Sequence, residues 1–485
     1  MNNPSAEKPP NPPEGFFDSL ELPLPKRLLI FLACALGSFA CLFLIPGAAE
    51  LDMAPRRALF ILIFAASLWV TEVVPAFSVG ILIIGLQIAL LGRPGAGFAQ
   101  TSRDWEEFVV VLGNPLIWLF FGGFVLAKGM TLTGLDRSLA RRVLSRLGDR
   151  PASVLWGVML ITFLLSMFMS NTATTAMMLA MMAPLISGSN KDETFARGLL
   201  LGIAVAANLG GMGSLIGTPP NAIAVGALSE LPNPIEITFL QWMVIGAPLA
   251  LILLVLSWLY LLRAYPASSK HVSMVGLEAE AGTDPAPFWQ RFVVAGTLVL
   301  TVGLWLTTSR HHMPTAVVSF LPTVLFTITG IIGTTEIRRL NYDVLFLLAG
   351  GLALGQVVVN TGLSIWIVEQ LPVAGLGVVG IALLIAYVTA VLSNFMSNTA
   401  AANILIPIGI TMCVGFEAEV VLPIALAASC AMCLPIATPP NALAFATGRC
   451  ETRDFIRLGG LIGIIAPLGS VLWVWMISTW ARSVG

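Results

Sequence analysis

Charge is what this chain has least of. Among 485 residues only 11% are charged, and 25 Lys and Arg nearly balance 26 Asp and Glu. Soluble domains carry about 25% charged residues, so an ordinary water-exposed globule is excluded. The balance leaves no basic surface, which excludes the electrostatic footprint of a nucleic-acid partner. Histidine is scarce as well: His271, His311 and His312 are the 3 present, and all fall in expected loops where they read as solvated. No cluster of His, Cys or carboxylate lies at a depth that would serve an active site. Without a nucleophile–base pair, the chain does not read as an enzyme. The 6 cysteines, Cys34, Cys41, Cys413, Cys430, Cys433 and Cys450, sit in or beside apolar segments. Cys430 and Cys433 form a CxxC inside an expected span and read as packing residues, not as a redox pair or a metal site. The first 25 residues lack an apolar run beside a basic start. They are Pro-rich and polar, and read as a disordered cytoplasmic tail with no mark of a cleaved signal peptide.

What the chain has in abundance is apolar length. It is 57% hydrophobic with a mean hydropathy of +0.90, which defines an all-α polytopic membrane protein. Spans are expected near 27–46, 58–74, 76–92 and 113–131, then at 199–228, 238–262, 292–308, 315–333, 342–364, 420–447 and 458–480. Two longer apolar runs, 152–187 and 377–412, are each interrupted near the middle by a polar triplet. Each half is about 17 residues, or roughly 25 Å of helix, short of the ~30 Å hydrocarbon core. That length fits a re-entrant hairpin whose tip stops inside the membrane. The expected fold is therefore about 11 transmembrane helices plus two re-entrant helical hairpins. Leu135 to Arg150, with Arg137, Arg141, Arg142 and Arg146, is an amphipathic helix at the membrane surface. With the N-terminus inside, only Arg56, Arg57, Arg93, Arg103, Arg310 and Arg482 fall outside, as the positive-inside rule requires. Glu72 and Lys128 lie near span ends and read as snorkelling or structural. The Trp residues near span ends fit an interfacial belt.

The polar interruptions come in matched pairs. Ser170-Asn171-Thr172 and Ser397-Asn398-Thr399 mark the two hairpins. Gly217-Thr218-Pro219-Pro220-Asn221 and Ala437-Thr438-Pro439-Pro440-Asn441 mark the two spans that follow. Proline has no N–H and disfavours helix at the residue before it, so each of these spans breaks. Irregular backbone survives at bilayer depth only where protein buries it or a cavity hydrates it. The pairing extends further. Gly122-Gly123 matches Gly350-Gly351, and Thr133-Gly134-Leu135 matches Thr361-Gly362-Leu363, at a nearly constant offset. An odd number of crossings separates the two units, so they are expected to be inverted. Paired broken helices in inverted halves are the sequence pointer to a transporter site.

The residue types fix the chemistry such a site can do. Ser, Thr and Asn oxygens with freed carbonyls suit a small hard cation such as sodium. Hydroxyls, amide N–H groups and helix N-termini suit an anion. Ser166 and Ser393 lie one turn before Ser170 and Ser397 and add an oxygen on the same face. No Lys, Arg, Asp or Glu occurs in the four motif segments. A bound dianion is therefore balanced by cations and dipoles.

Together the four motifs resemble the divalent anion/sodium symporter (DASS) family, with its INDY-like bacterial dicarboxylate transporters, over about residues 27–480. The resemblance implies a homodimer whose protomers each hold a scaffold and an elevator-type transport domain. By it, residues 1–25 are a tail, 26–135 scaffold helices and 136–150 the surface helix. Residues 151–228 form transport unit 1, and 229–376 are scaffold helices carrying a cytoplasmic linker at 264–288. Residues 377–447 form transport unit 2, and 448–485 the last transmembrane helix. One sodium site is implied at Ser166, Ser170, Asn171 and the backbone of Gly217. The other is implied at Ser393, Ser397, Asn398 and the backbone of Ala437, where the second copy departs from the Gly of the first. Substrate carboxylates are implied to meet Asn171, Thr172, Thr218, Asn398, Thr399 and Thr438, with Ser170, Pro219, Ser397 and Pro439 lining the site. The expected function is secondary active transport of small dianions, C4-dicarboxylates such as succinate, malate or fumarate, with sodium as the co-transported ion. The expected location is the inner (plasma) membrane. A sodium-independent dicarboxylate exchanger and a sodium-coupled sulfate or citrate transporter share these motifs and stay open. A passive channel fits a gated, paired site less well.

Overall fold

The computed structural model describes residues 23–95, 97–146, 148–188, 193–272, 286–370 and 375–484. Most of the expected polar tail, and Glu278, Glu280 and Asp284 of the expected linker, lie outside the described residues. The described chain is helical. The first half contains α1 Leu24–Leu44, α2 Met53–Thr71, α3 Ala76–Leu90, α4 Glu106–Val110, α5 Pro115–Thr133 and α6 Leu135–Leu144. It continues with α7 Pro151–Ser166, α8 Asn171–Gly188, α9 Glu193–Met212, α10 Pro219–Ser229 and α11 Phe239–Ala264. The second half contains α12 Phe288–Leu306, α13 Thr308–His311, α14 Thr315–Val318, α15 Phe320–Ile328, α16 Thr334–Arg338, α17 Tyr342–Asn360 and α18 Leu363–Gln370. It ends with α19 Val378–Leu392, α20 Asn398–Met412, α21 Glu417–Ala428, α22 Pro439–Ala446 and α23 Thr452–Val484. The series α5–α11 and α17–α23 correspond element by element.

Among the described residues, 8 helical segments are long and apolar enough to cross a membrane. The other expected crossings coincide with shorter pieces: α3, α14 with α15, and the pair α21 and α22. The apolar arms α7, α8, α19 and α20 are each under the length of a span or interrupted by proline, as Pro184 and Pro407 interrupt α8 and α20. Two boundaries differ from expectation. The helix before the first Thr-Pro-Pro-Asn ends at Met212, well ahead of the prolines, because Gly210, Gly211 and Gly213 weaken its last turn. The helix expected at the membrane surface stops at Leu144, and Gly148 then turns with φ 74° ahead of Arg150, the N-cap of α7.

Polar contacts fix which helix ends lie together. Arg197, early in α9, pairs with Glu451 at 3.3 Å and approaches Asp454 at 3.8 Å, both at the start of α23. The Tyr265 hydroxyl, just past α11, donates to Asp454 Oδ1 at 2.7 Å. Arg482, at the far end of α23, pairs with Glu419 early in α21. Since α23 has 33 residues, about 50 Å of helix, α9 and α21 start at opposite ends and run in opposite directions. His271 lies 2.8 Å from Asp149 at the α9-start end. His311 is more than a solvated loop residue. Its Nε2 lies 2.9 Å from the Leu304 carbonyl and its Nδ1 accepts from the Met313 N–H at 3.0 Å, tying off the end of α12.

Packing sorts the helices into two groups. In one, α17 packs on α2 and α3, while α5 packs on α12, α14 and α15. In the other, α7 packs on α9, α9 on α11, α19 on α21, and α23 on α11, α19 and α21. The halves interlock within the second group, because α8 packs on α22 and α10 on α20. The repeated Gly-Gly pairs sit where the groups meet. A Cβ on Gly350 would overlap the Gly80 backbone, and one on Gly122 would overlap the Ser319 backbone. Their neighbours face the other group: Gly351 lies against the Asn403 side chain and Gly123 against the Ile216 side chain. Adjacent glycines thus give α5 and α17 close approach on two faces at once.

Candidate functional site

Each Ser-Asn-Thr begins a helix. Ser170 Oγ accepts the Ala173 N–H at 3.2 Å, and Ser397 Oγ accepts the Ala400 N–H at 3.1 Å, so both serines are N-caps. A hydroxyl oxygen has two lone pairs, so capping leaves it free to meet a ligand. Asn171 and Asn398 are the first helical residues of α8 and α20, and the N–H groups of those first turns have no partner within the helix.

The serine one turn earlier gathers oxygen atoms. Ser166 Oγ lies 2.7 Å from Asn171 Oδ1 and 2.8 Å from the Ala207 carbonyl oxygen on α9. The second half repeats this, with Ser393 Oγ 2.8 Å from Asn398 Oδ1 and 3.0 Å from the Ala428 carbonyl on α21. With the amide oxygen turned to the serine, three oxygens share one hydroxyl proton. One proton satisfies one acceptor, so each cluster is electron-rich, and a cation would relieve it. Ser166 and Ser393 are fully buried. The Ala207 and Ala428 carbonyls were not legible in the sequence, since a backbone acceptor leaves no side-chain signal.

The implied backbone ligands stand differently. Gly217 packs directly on Gly211, and Gly211 packs on the Asn171 side chain, so Gly217 joins the first cluster through one intervening residue. Ala437 is buried, and its N–H donates to the Leu434 carbonyl at 3.2 Å.

Thr-Pro-Pro-Asn is a helix start built for a broken helix. Thr218 and Thr438 take the extended N-cap conformation, and the prolines occupy the first turn, where no N–H is needed. The asparagine then ties off the other side of the break. Asn221 Nδ2 donates to the Gly211 carbonyl at 2.9 Å and the Ser214 carbonyl at 2.7 Å. Asn441 Nδ2 donates to the Met432 and Leu434 carbonyls, both at 3.0 Å. Both asparagines are fully buried. Unpaired buried carbonyls are costly in an apolar interior, so this one side chain makes each break tolerable. Thr218, Thr399 and Thr438 are buried, Ser170, Asn171, Thr172, Pro219, Ser397 and Asn398 half-buried, and Pro439 exposed. Among the described residues no three His, Cys, Asp or Glu side chains come together, so the polar centre is neutral oxygen and amide.

Three buried asparagines outside the motifs were missed: Asn208, Asn394 and Asn403. A polar side chain inside an apolar span is itself a signal, and each could have been found on that ground.

Two helix–turn–helix arms and two broken helices, locked together around neutral oxygen clusters within a bundle of apolar spans, define a multi-pass membrane transporter. The comparisons make the class specific: the chain belongs to the family described as the sodium:sulfate symporter transmembrane region, which matches residues 26–485. It is similar to the sodium-dependent dicarboxylate transporter SdcS of Staphylococcus saprophyticus, 31% identical over 463 residues, covering 86% of this chain and 85% of that protein. SdcS of Staphylococcus aureus (strain bovine RF122 / ET3-1) is 30% identical over 454 residues, with 86% and 85% covered. An uncharacterized transporter of Haemophilus influenzae is 30% identical over 477 residues, with 93% and 98% covered. Among solved structures, the YdaH transporter of Alcanivorax borkumensis superposes with a TM-score of 0.56 at 15% identity, covering 84% of this chain and 99% of that one. That likeness concerns the fold alone.

Proposed function

We propose that this protein is a sodium-coupled secondary transporter of small dianions, C4-dicarboxylates in particular. The observation that carries the reading is the pair of three-oxygen clusters, at Ser166–Asn171–Ala207 and Ser393–Asn398–Ala428. Each holds one sodium ion, with Ser170 and Gly217 adding to the first and Ser397 and Ala437 to the second. The dianion sits between the helix starts, on Asn171, Thr172, Thr218, Asn398, Thr399 and Thr438. Ser170, Pro219, Ser397 and Pro439 line the same space. Four helix N-termini, α8, α10, α20 and α22, supply positive dipole ends without a fixed charge. The names of the SdcS relatives support sodium and dicarboxylate. The sulfate in the family description makes sulfate the competitor to test.

The opposed directions of α9 and α21 support an inverted repeat with re-entrant hairpins. The two packing groups support an elevator, with α7–α11 and α19–α23 moving against a frame of α2, α3, α5, α12, α14, α15 and α17. In this reading α11 and α23 travel with the moving body, since their main contacts are inside it. A homodimer in the inner membrane with the N-terminus in the cytoplasm completes the proposal. The test is uptake of labelled succinate into proteoliposomes with and without an inward sodium gradient, with sulfate, citrate and internal dicarboxylate as competitors. Uptake that needs the gradient and resists sulfate is expected. Uptake driven only by internal dicarboxylate would replace this reading with an exchanger.

A further inference from the structure

One side chain outside the four motifs joins the two halves at their polar centre. Asn208 lies in α9 and is 1% exposed. Its Nδ2 donates to Thr438 Oγ1 at 3.0 Å and to Asn441 Oδ1 at 3.3 Å, across 230 and 233 residues of chain. Both partners belong to the second break: Thr438 caps α22, and Asn441 holds the Met432 and Leu434 carbonyls. The residue before Asn208 is Ala207, whose carbonyl is one of the three oxygens of the first cluster. A peptide unit is rigid, so a cation that pulls on the Ala207 carbonyl also moves the backbone that carries Asn208. The first cluster is therefore one residue away from the donor that sets the start of α22.

Among the described residues the second half has no matching amide link, and its return contact is the weaker one from Cys430 Sγ to Met212 Sδ at 3.3 Å. The residue after Ala428 is Ser429, whose hydroxyl turns back to the Ala425 carbonyl of its own helix at 3.2 Å. Asn221, the counterpart of Asn441, keeps its Oδ1 buried without a partner among the described residues. The amide link is thus built from a first-half donor on second-half acceptors, and the coupling it carries is reciprocal.

We infer that Asn208 is the positioning residue that couples the two cation sites. Filling the first cluster fixes the α9 backbone at 207–208, and the Asn208 amide then holds Thr438 and the break at 429–438 in the form that accepts the second ion. This rests on the sodium-coupled reading above and adds a coupling between its two sites.

The experiment measures equilibrium binding of labelled succinate to the purified full-length protein across a sodium titration, with choline holding ionic strength. The wild type is expected to bind with a Hill coefficient approaching the number of coupled sites, about 2. In Asn208→Ala and Asn208→Leu it falls toward 1. Half-saturating sodium rises roughly 2- to 10-fold, and maximal binding is retained at saturating sodium. Asn208→Leu keeps the buried volume, so it serves if the alanine variant does not fold. Asn208→Asp keeps the shape but cannot donate when ionised, and is expected to behave as the other two. A merely structural role would lower the yield of folded protein and leave the Hill coefficient of that protein at the wild-type value, which overturns the inference. A sodium-dependent wild type with a Hill coefficient of 1 overturns it also. A wild type whose binding ignores sodium overturns both this inference and the sodium-coupled reading.

Discussion

The two halves make the same connections with different atoms. In the first, the break holds the hairpin turn: the Ser214 hydroxyl donates to the Met167 carbonyl. In the second, the turn holds the break: the Cys433 N–H donates to Asn394 Oδ1 at 2.7 Å. The tie stands at matching places, yet its side chain comes from opposite partners. The breaks differ too. Residues 213–218 are buried throughout, while the break at 429–438 carries Ile436, which is 52% exposed. The repeat therefore preserves where the chain is pinned, and each half solves the pinning with whatever donor is near. The second break is the more exposed of the two, and it is the one that Asn208 holds from across the molecule.

The largest expected effect tests whether the glycine pairs divide their work alike in both halves. Gly122 and Gly350 face backbone, which cannot move aside, whereas Gly123 and Gly351 face side-chain atoms of Ile216 and Asn403. Gly122→Ala and Gly350→Ala should each cost about 3 kcal/mol or more, and yield little monodisperse protein on size exclusion. Gly123→Ala, whose Cβ would stand 3.0 Å from the end of the Ile216 side chain, should purify well, with a melting temperature within a few degrees of wild type. Gly351→Ala should lose stability as well, because its Cβ would overlap the fully buried Asn403 amide. Equal losses for Gly122→Ala and Gly123→Ala would end the division of labour in the first half.

Next come the two clusters. Asn171→Ala and Asn398→Ala each remove an amide oxygen from a desolvated site, at about 1–3 kcal/mol, or roughly 5- to 150-fold in sodium affinity. Because the second break is partly exposed, the Asn398 change should fall at the lower end and the Asn171 change at the upper. Sodium titration of succinate binding in each variant reads the difference. The reverse ranking would place the tighter site in the second half.

How much of this was legible beforehand follows from what the sequence can carry. The Ser-Asn-Thr and Thr-Pro-Pro-Asn copies located both hairpin turns and both breaks, because N-caps and prolines act through local backbone chemistry. The role of Asn221 and Asn441 as ties on the far side of the break was not legible, since it depends on a fold-back of the chain onto carbonyls at 211–214 and 432–434. Nor were Ala207 and Ala428 as oxygen donors, where only the carbonyl acts. Asn208 carries a signal as an amide inside an apolar run, but its role is not legible until its partners, 230 residues on, are known. The helix expected from Leu135 to Arg150 begins at Leu135 and ends at Leu144, because the chain turns at Gly148 with positive φ before α7 starts.

The smallest expected effect lies where the halves match in place and differ in charge. α6 and α18 follow α5 and α17 through Gly134 and Gly362, which both turn with positive φ. Asp136 in α6 and Ser364 in α18 hold equivalent places, and each is 1% exposed. Burial pushes the Asp136 carboxyl above the usual carboxylate range, against weaker opposing help from the Arg137 N–H and the Arg137 charge. A folded-state pKa above the unfolded value means that the folded protein binds the proton more tightly. Stability from this site is then greatest in acid, and is lost as pH rises from the unfolded value near ~4 through the raised folded one. Asp136→Ser copies the second half and removes the ionisable group. It should raise stability at neutral pH and leave stability below about pH 4 unchanged. Melting temperature followed against pH for both proteins reads this directly, as two curves that meet in acid and part toward neutrality. Curves that stay parallel would mean that Asp136 is held by its Arg137 contacts, and that burial does not govern its charge.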